Sequence, residues 1–154
     1  MLPELERRVT ALERRIKNGL TLARLTLTGA LVIPTGAITS GTYTPTLTSV
    51  ANVDASTAYQ CQYMRVGIVV TVGGRVDIDP TAAASTATRL GVSLPIASNF
   101  GAAGDCGGAG YSPAVVSLGF AVEADSTNDR AQITFLSTTT ANTGFRFSFT
   151  YLVT

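Results

Sequence analysis

Two different spacings of hydrophobic residues divide the 154-residue chain. In the first 19 residues, apolar side chains recur at intervals of three and four, the heptad spacing of a helix that packs against other helices. From residue 41 onward they alternate with polar residues, which is the period of a β-strand with one buried face. The pattern predicts a short helical head followed by an all-β body.

The head predicts a coiled-coil helix over residues 1–19. Pro3 falls in the first turn, where its missing amide hydrogen is tolerated, and Asn18-Gly19 is a natural helix stop. Within this head the helix itself is expected over about residues 3–18, a length of about 24 Å. Because an isolated helix that short is marginally stable in water, we expect it to associate or dock.

The number of associating chains is predicted from the segment Arg8 to Glu13. It resembles the short trimerisation signature of parallel coiled coils, in which Arg and Glu bridge neighbouring helices. Although β-branched residues at a with Leu at d lean towards a dimer, the complete match favours a trimer. The predicted trimer interface comprises Leu2, Leu5, Arg8, Val9, Leu12, Glu13 and Ile16. The alternatives are a single amphipathic helix packed on its own domain, or a membrane-surface helix, which the interleaved Glu residues disfavour.

Residues 20–40 form a predicted extended connector. Its apolar run is interrupted by Arg24, so it is not the uninterrupted span of about 20 residues that a membrane helix needs. A secretory signal is also disfavoured, because the charged region before it is long and partly acidic. Alternation of Thr and Leu favours extended chain that pairs with a neighbouring subunit.

Residues 41–154 predict seven to nine strands in a jelly-roll-like antiparallel β-sandwich. Gly73-Gly74 predicts a turn or bulge, and Asp125 to Asp129 predicts a hairpin turn. The clearest alternation, Phe145 to Tyr151, predicts a central strand against the core. The predicted strands are Tyr43–Val50, Tyr59–Tyr63, Val70–Ile78, Thr88–Leu94, Pro113–Glu123, Arg130–Leu136 and Phe145–Tyr151.

Charge and composition reduce the number of functional classes to which the chain could belong. Charged residues make up 14% of the chain, against roughly 25% in a typical soluble domain. Eight of the 21 charged residues lie in the first 17 positions. The low content of charged residues and the net charge of +1 exclude a disordered, highly charged chain. They also disfavour a protein that binds nucleic acid through its charge. The absence of His removes the commonest general base and metal ligand, so an enzyme is disfavoured.

The other motifs in the sequence point only weakly to a catalytic or ligand-binding site. The run Gly101–Gly110 lacks the Lys-Ser/Thr ending of a phosphate loop and predicts a mobile surface loop. Asp77 and Asp79, with Asp54 and Asp105 elsewhere, offer oxygen ligands for Ca²⁺, but solvated strand faces carry carboxylates as well. A paired-carboxylate glycosidase lacks Trp for a sugar platform, and a serine nucleophile lacks His. We therefore predict no catalytic residue, no cofactor and no metal.

The two cysteines leave two alternatives open. Cys61 lies in a predicted strand and Cys106 in the glycine-rich run. They could form a disulfide, or they could be buried free thiols of a protein assembled inside a cell.

Five stretches of the body resemble a β-domain common in tailed-bacteriophage virion proteins. They are Gly41–Thr48, Cys61–Gly67, Gly74–Pro80, Leu90–Phe100 and Ser126–Arg130. The likeness spans about residues 41–154 and carries no site residues. It implies a trimeric head-fibre, decoration or tail-fibre protein on the virion surface, assembled in the host cytoplasm. Its expected partners are copies of itself and other virion proteins such as capsid or tail, with neither nucleic acid nor membrane.

Two other functions remain open, a receptor-binding tip for host polysaccharide or protein and a hydrolase. A concave patch containing Tyr43, Tyr59 or Tyr111 would favour the receptor-binding tip. The short head leaves almost no shaft, which favours a short surface appendage attached through the N-terminus.

Overall fold

The computed structural model describes residues 4, 6–10, 38–115 and 118–154. Residues 4 and 6–10 are helical, as the heptads predict. The rest of the predicted coiled coil and residues 20–37 of the predicted connector lie outside the described residues. The chain divides into two compact units, Met1–Val32 and Ile33–Thr154. The predicted boundary after residue 40 falls inside a strand that begins at Ile38.

The described part of the second unit is built from β-strands, as predicted. All of its paired strands run antiparallel. A 3₁₀ turn over Ala103–Asp105 precedes the seventh strand. The ten strands of the described residues are β1 (Ile38–Tyr43), β2 (Leu47–Ala51), β3 (Ala55–Ala58), β4 (Cys61–Val66), β5 (Val69–Asp79), β6 (Thr86–Val92), β7 (Cys106–Tyr111), β8 (Gly119–Asp125), β9 (Arg130–Ser137) and β10 (Thr143–Leu152).

The strands form one sheet that curls over its inner face. Its order is β1-β4-β5-β10-β7-β8-β9-β6-β2, and β3 pairs with the far half of β5. Laid flat, nine strands would span about 38 Å. The two edge strands, β1 and β2, are joined only by Thr44–Thr46, and the steps from Tyr43 to Leu47 reach at most about 14 Å. The edges must therefore approach each other, and the Tyr43 hydroxyl donates a hydrogen bond to the Ser93 carbonyl just beyond β6 at 3.2 Å.

The inner face carries the hydrophobic core. On β10, every second residue from Phe145 to Tyr151 is buried, and the strand pairs with both β5 and β7. The prediction of a central aromatic strand is confirmed. The Phe145 ring lies 5.4 Å from Phe120 of β8 and 5.0 Å from Phe135 of β9, so its contacts join distant strands of the curled sheet.

Of two predictions made from glycines, one is wrong and the other, a surface loop over Gly101–Gly110, holds only for Gly101–Asp105. Gly73-Gly74 lies within the continuous strand β5, and the second half of the Gly101–Gly110 run forms the central strand β7. A Cβ at Gly74 would overlap the Cys61 side chain, and one at Gly110 would overlap the Phe120 ring. These glycines make room for side chains on adjacent strands instead of turning the chain.

The predicted strand Pro113–Glu123 starts later than expected. β8 begins at Gly119, and Pro113–Val115 form a bend. The Ser112 hydroxyl accepts hydrogen bonds from the amides of Ala114 and Val115, at 3.3 and 3.2 Å. This local bonding competes with strand pairing.

The chain changes direction at two places that bear on a predicted strand and a predicted turn. The predicted strand Tyr43–Val50 is split into β1 and β2 by a corner at Pro45, which has no amide to donate to a ladder. The hairpin turn at Asp125–Asp129 is confirmed, and its Asn128 amide donates to the Asp125 carbonyl at 3.2 Å.

Candidate functional site

Only part of the predicted trimer interface is described. Arg8 and Val9 lie on the helical segment and are exposed, Val9 to 50% of its surface. The Thr10 hydroxyl donates to the Glu6 carbonyl one turn earlier at 2.9 Å. Leu2, Leu5, Leu12, Glu13 and Ile16 lie outside the described residues, so the interface as a whole stays a prediction.

A groove of about 710 Å³ lies on the outer face of the sheet, over β4, β5 and β10. We call it the outer groove. Its floor includes Gly73, which pairs with Gln62 of β4 and Ser148 of β10. A Cβ at Gly73 would meet only a backbone oxygen at 3.8 Å, so the missing side chain leaves space over the strands. The lining residues are Ser40, Gln60, Gln62, Tyr63, Met64, Thr71, Gly73, Gly74, Arg75, Arg146 and Ser148.

One part of the outer groove is a fixed network around Arg75. Its guanidinium donates two hydrogen bonds to the Asp77 carboxylate, both at 3.0 Å, and lies 4.4 Å from the centre of the Tyr59 ring. The Tyr59 hydroxyl also donates to Asp77 at 2.8 Å. The hydrogen bond to Asp77 raises the pKa of both Tyr59 and Arg75. The network holds Arg75 in place while Asp77 neutralises its charge.

Arg146 supplies a second cation beside this network. Arg146 lies on β10, where it pairs with Arg75 of β5 on one side and with Tyr111 of β7 on the other. Arg146 is exposed, and the ion pairs found among the described residues, Arg75–Asp77 and Asp125–Arg130, do not include it. Because Asp77 already neutralises Arg75, Arg146 is the cation of this part of the outer groove that would attract an anionic group.

The three tyrosines singled out in the sequence lie in different environments. Tyr43 faces inward, packs edge-on against Tyr63 at 6.3 Å, and has its pKa raised by burial. Tyr59 is held against Arg75, and Tyr111 is 57% exposed beside Arg146. Tyr59 and Tyr111 therefore flank the two arginines of the outer groove, although neither tyrosine lines it.

The four acidic residues considered for Ca²⁺ do not converge. Asp77 is engaged by Arg75, and the Asp105 carboxylate accepts hydrogen bonds from the amides of Gly101 and Ala102 at 2.7 and 2.9 Å. Asp54 and Asp79 meet through a backbone hydrogen bond. Within the described ranges, no three acidic, Cys or His residues form a group that could hold a metal ion.

The two cysteines are free thiols buried in the core. Burial raises the pKa of Cys61, and it raises the pKa of Cys106 to about 12. Because the thiolate is the reactive form, neither sulfur is prepared for nucleophilic chemistry. Of the two alternatives left open by the sequence, the structure has the unbonded one.

A smaller pocket of about 430 Å³ is lined by residues from three of the five stretches singled out in the sequence. Thr46 and Thr48 come from the first stretch, Ser93 from the fourth, and Asp129 and Arg130 from the fifth. The Thr46 amide donates to the Ser93 hydroxyl at 2.9 Å. The three stretches therefore meet at one place on the body.

The sequence analysis missed an exposed apolar surface at the start of the body, which we call the apolar corner. Across the sheet, Ile38 pairs with Val66, Val66 with Val69, and Val69 with Leu152. The signal was present, because the apolar residues Val66, Ile68 and Val69 come directly before the inward-facing Val70. The residues of the apolar corner are Ile38, Met64, Val66, Ile68, Val69 and Leu152.

The chain matches no protein-family model and no curated protein. Within the part of the chain that the structure describes, no helix combines the length and hydrophobicity needed to cross a bilayer. A function is therefore inferred from the sequence patterns and from the geometry of the described residues.

Proposed function

We propose that this chain is a non-enzymatic structural protein of a bacteriophage virion. In this proposal it forms a trimeric surface appendage, of the head-fibre, decoration or short tail-fibre type, attached through its N-terminus. The observation that carries the proposal is the division of the chain. A charged heptad head precedes a β body whose aromatic core is complete within residues 38–154.

The proposed architecture is a jelly-roll-like sandwich behind a short parallel coiled coil. The strands β1-β4-β5-β10 form one layer and β8-β9-β6-β2 the other, with the glycine-rich β7 between them. Contacts of Phe145 with Phe120 and Phe135 across the core support two facing layers. The helical conformation of residues 4 and 6–10 supports a coil over the head.

The absence of His, the hydrogen bonds of the carboxylates and the free thiols all agree with a structural role. The chain has no His. The carboxylates of Asp77 and Asp105 are taken up by an arginine and by backbone amides. Free thiols in the core agree with assembly in the reducing host cytoplasm before release on the virion surface.

The proposal is tested on particles of the phage that encodes the chain. Particles are purified after growth with the full chain or with a chain that starts at Ile33, and their proteins are measured by mass spectrometry. We expect the full chain on the particle and loss of the shortened chain, because residues 1–32 are proposed to attach to capsid or tail. Particles that lack the full chain would contradict a virion role. Normal incorporation of the shortened chain would place attachment in the body.

None of Tyr43, Tyr59 and Tyr111 lines the outer groove, but its exposed Arg146 supports one alternative function, a receptor-binding tip for an acidic host polysaccharide. The polar lining of the groove and the exposed Arg146 suit carboxylate-bearing sugars, since charge-assisted hydrogen bonds are among the strongest in proteins. Binding of the full chain to a panel of bacterial surface polysaccharides tests it. Arg146→Ala should lower affinity about tenfold, whereas Arg89→Ala, an exposed arginine on β6, should not. Equal effects of both substitutions would argue against this site.

A further inference from the structure

The apolar corner exposes an unusual amount of hydrophobic surface for a sheet that already has a complete core. Exposed fractions are 48% for Ile38, 52% for Met64 and 48% for Val66. They are 57% for Ile68 and 45% for Leu152. Six such side chains leave on the order of 500 Å² of apolar surface in water, near the upper limit for a patch on a monomer.

These side chains point outward by the geometry of their strands. Val70 and Val72 of β5 are fully buried. Because successive side chains of a strand point to opposite faces, Val69 points away from the core. On β4, Cys61 is buried, while Met64 and Val66 lie on the other face. The corner is therefore separate from the core and is not needed to complete it.

We infer that the apolar corner is the surface through which the bodies of neighbouring copies of this chain contact one another. The inference rests on the proposed trimer. Ile38, the first residue of β1, belongs to the apolar corner. Three heads joined in parallel would tether three bodies and so raise the effective concentration of one corner for another.

The size and symmetry of the corner suit this occupant. Around a threefold axis each copy presents the same surface. Three corners together would remove on the order of 1,500 Å² from water, or about 500 Å² for each of the three pairwise contacts. A contact of that size is too small to hold free bodies together, but it suits bodies that the heads already tether. The six side chains carry no charge, which is typical of the centre of an interface.

The test compares two outward-facing, exposed positions in the full chain. Val66→Glu places a charge in the apolar corner, and Leu136→Glu places one on β9, where Leu136 is 56% exposed. Because both side chains are exposed in a single body, neither substitution should prevent folding. Sedimentation over a dilution series measures association, and urea unfolding measures the stability of each variant.

We expect Val66→Glu to raise the dissociation constant of the trimer at least tenfold and Leu136→Glu to change it less than threefold. As a second readout, a bis-maleimide should cross-link Val66→Cys between chains but not Leu136→Cys. The native cysteines should not interfere, since both are buried.

The outcomes separate this inference from the proposed function. A trimeric wild-type chain in which Val66→Glu behaves like Leu136→Glu, without cross-linking of Val66→Cys, would overturn the inference and leave the trimer standing. Lower unfolding stability with unchanged association would mean that the corner is covered by the same chain, and would overturn it too. A monomeric wild-type chain would contradict the trimer and the inference together.

Discussion

At the scale of single residues, glycine next to an aromatic ring determines much of the packing. Gly108 and Gly110 of β7 lie beside the Phe149 and Phe120 side chains of neighbouring strands. Alternation predicted the inward aromatic positions, because period-2 burial is a local property of a strand. It could not predict the partners of the glycines, because a glycine next to an aromatic residue on another strand has the same local sequence as a glycine in a loop.

Gly110→Val should destabilise the body by about 1–3 kcal/mol, because the new side chain would overpack the site against Phe120 and the Arg146 carbonyl. Urea unfolding measures the change. Gly107→Val is the matched control on the same strand, since a Cβ there meets nothing within 4 Å. Equal stability of the two variants would show that Gly110 is not a packing glycine.

Stability should also fall at alkaline pH. Burial raises the pKa of Cys106 from 9.0 to about 12 and that of Tyr151 from 10.0 to about 12. The unfolded chain therefore loses these protons at lower pH than the folded chain does. The free energy of unfolding should be unaffected by these groups below about pH 9 and should decrease from there towards pH 12.

Urea unfolding at a series of pH values measures this decrease. Cys106→Ala should make it shallower whatever its effect on stability at neutral pH, since alanine has no proton to lose. An unchanged slope in that variant would show that the thiol does not carry the effect.

At the scale of elements, the strands were more predictable than the segments that join them. Strands such as β9 and β10 alternate clearly and bury one face, so their positions followed from the sequence. The corner at Pro45 and the bend after Ser112 depend on local backbone chemistry, which hydrophobic alternation does not report. The apolar corner was missed because alternation identifies the buried face and ignores apolar residues on the other one.

The start of β1 predicts how far the chain can be shortened. A chain that begins at Ile33 should unfold at the same urea concentration as the body of the full chain. A chain that begins at Gly41 should be less stable, because it loses the pairing of Ile38–Ser40 with Met64–Val66. Circular dichroism during urea unfolding compares them. Equal stability of the two shortened chains would show that the first half of β1 contributes nothing to the body.

At the scale of the whole molecule, the proposed role is structural, and catalysis is not expected. The full chain should release no product from bacterial surface polysaccharides in a reducing-end assay. Turnover that disappears in Asp77→Asn or Asp79→Asn would contradict this expectation and would make those carboxylates catalytic.

The overall class of the fold could be predicted from alternation and composition, because both act over the whole chain. Assembly could only be predicted from the short segment Arg8 to Glu13 and from resemblance, since contacts between chains do not leave a periodic pattern in a body such as this one. The outer groove was not predictable either, because Arg75 and Arg146 are far apart in sequence and adjacent only through β-pairing.

The central claim is that the full chain is a trimer, and its mass in solution tests that claim most directly. Light scattering of the purified full chain at micromolar concentration should give three times the chain mass of 15.9 kDa. Leu12→Asp should shift the mass towards that of a monomer, because it places a charge in the predicted seam. A wild-type chain that remains a monomer or a dimer would contradict the account.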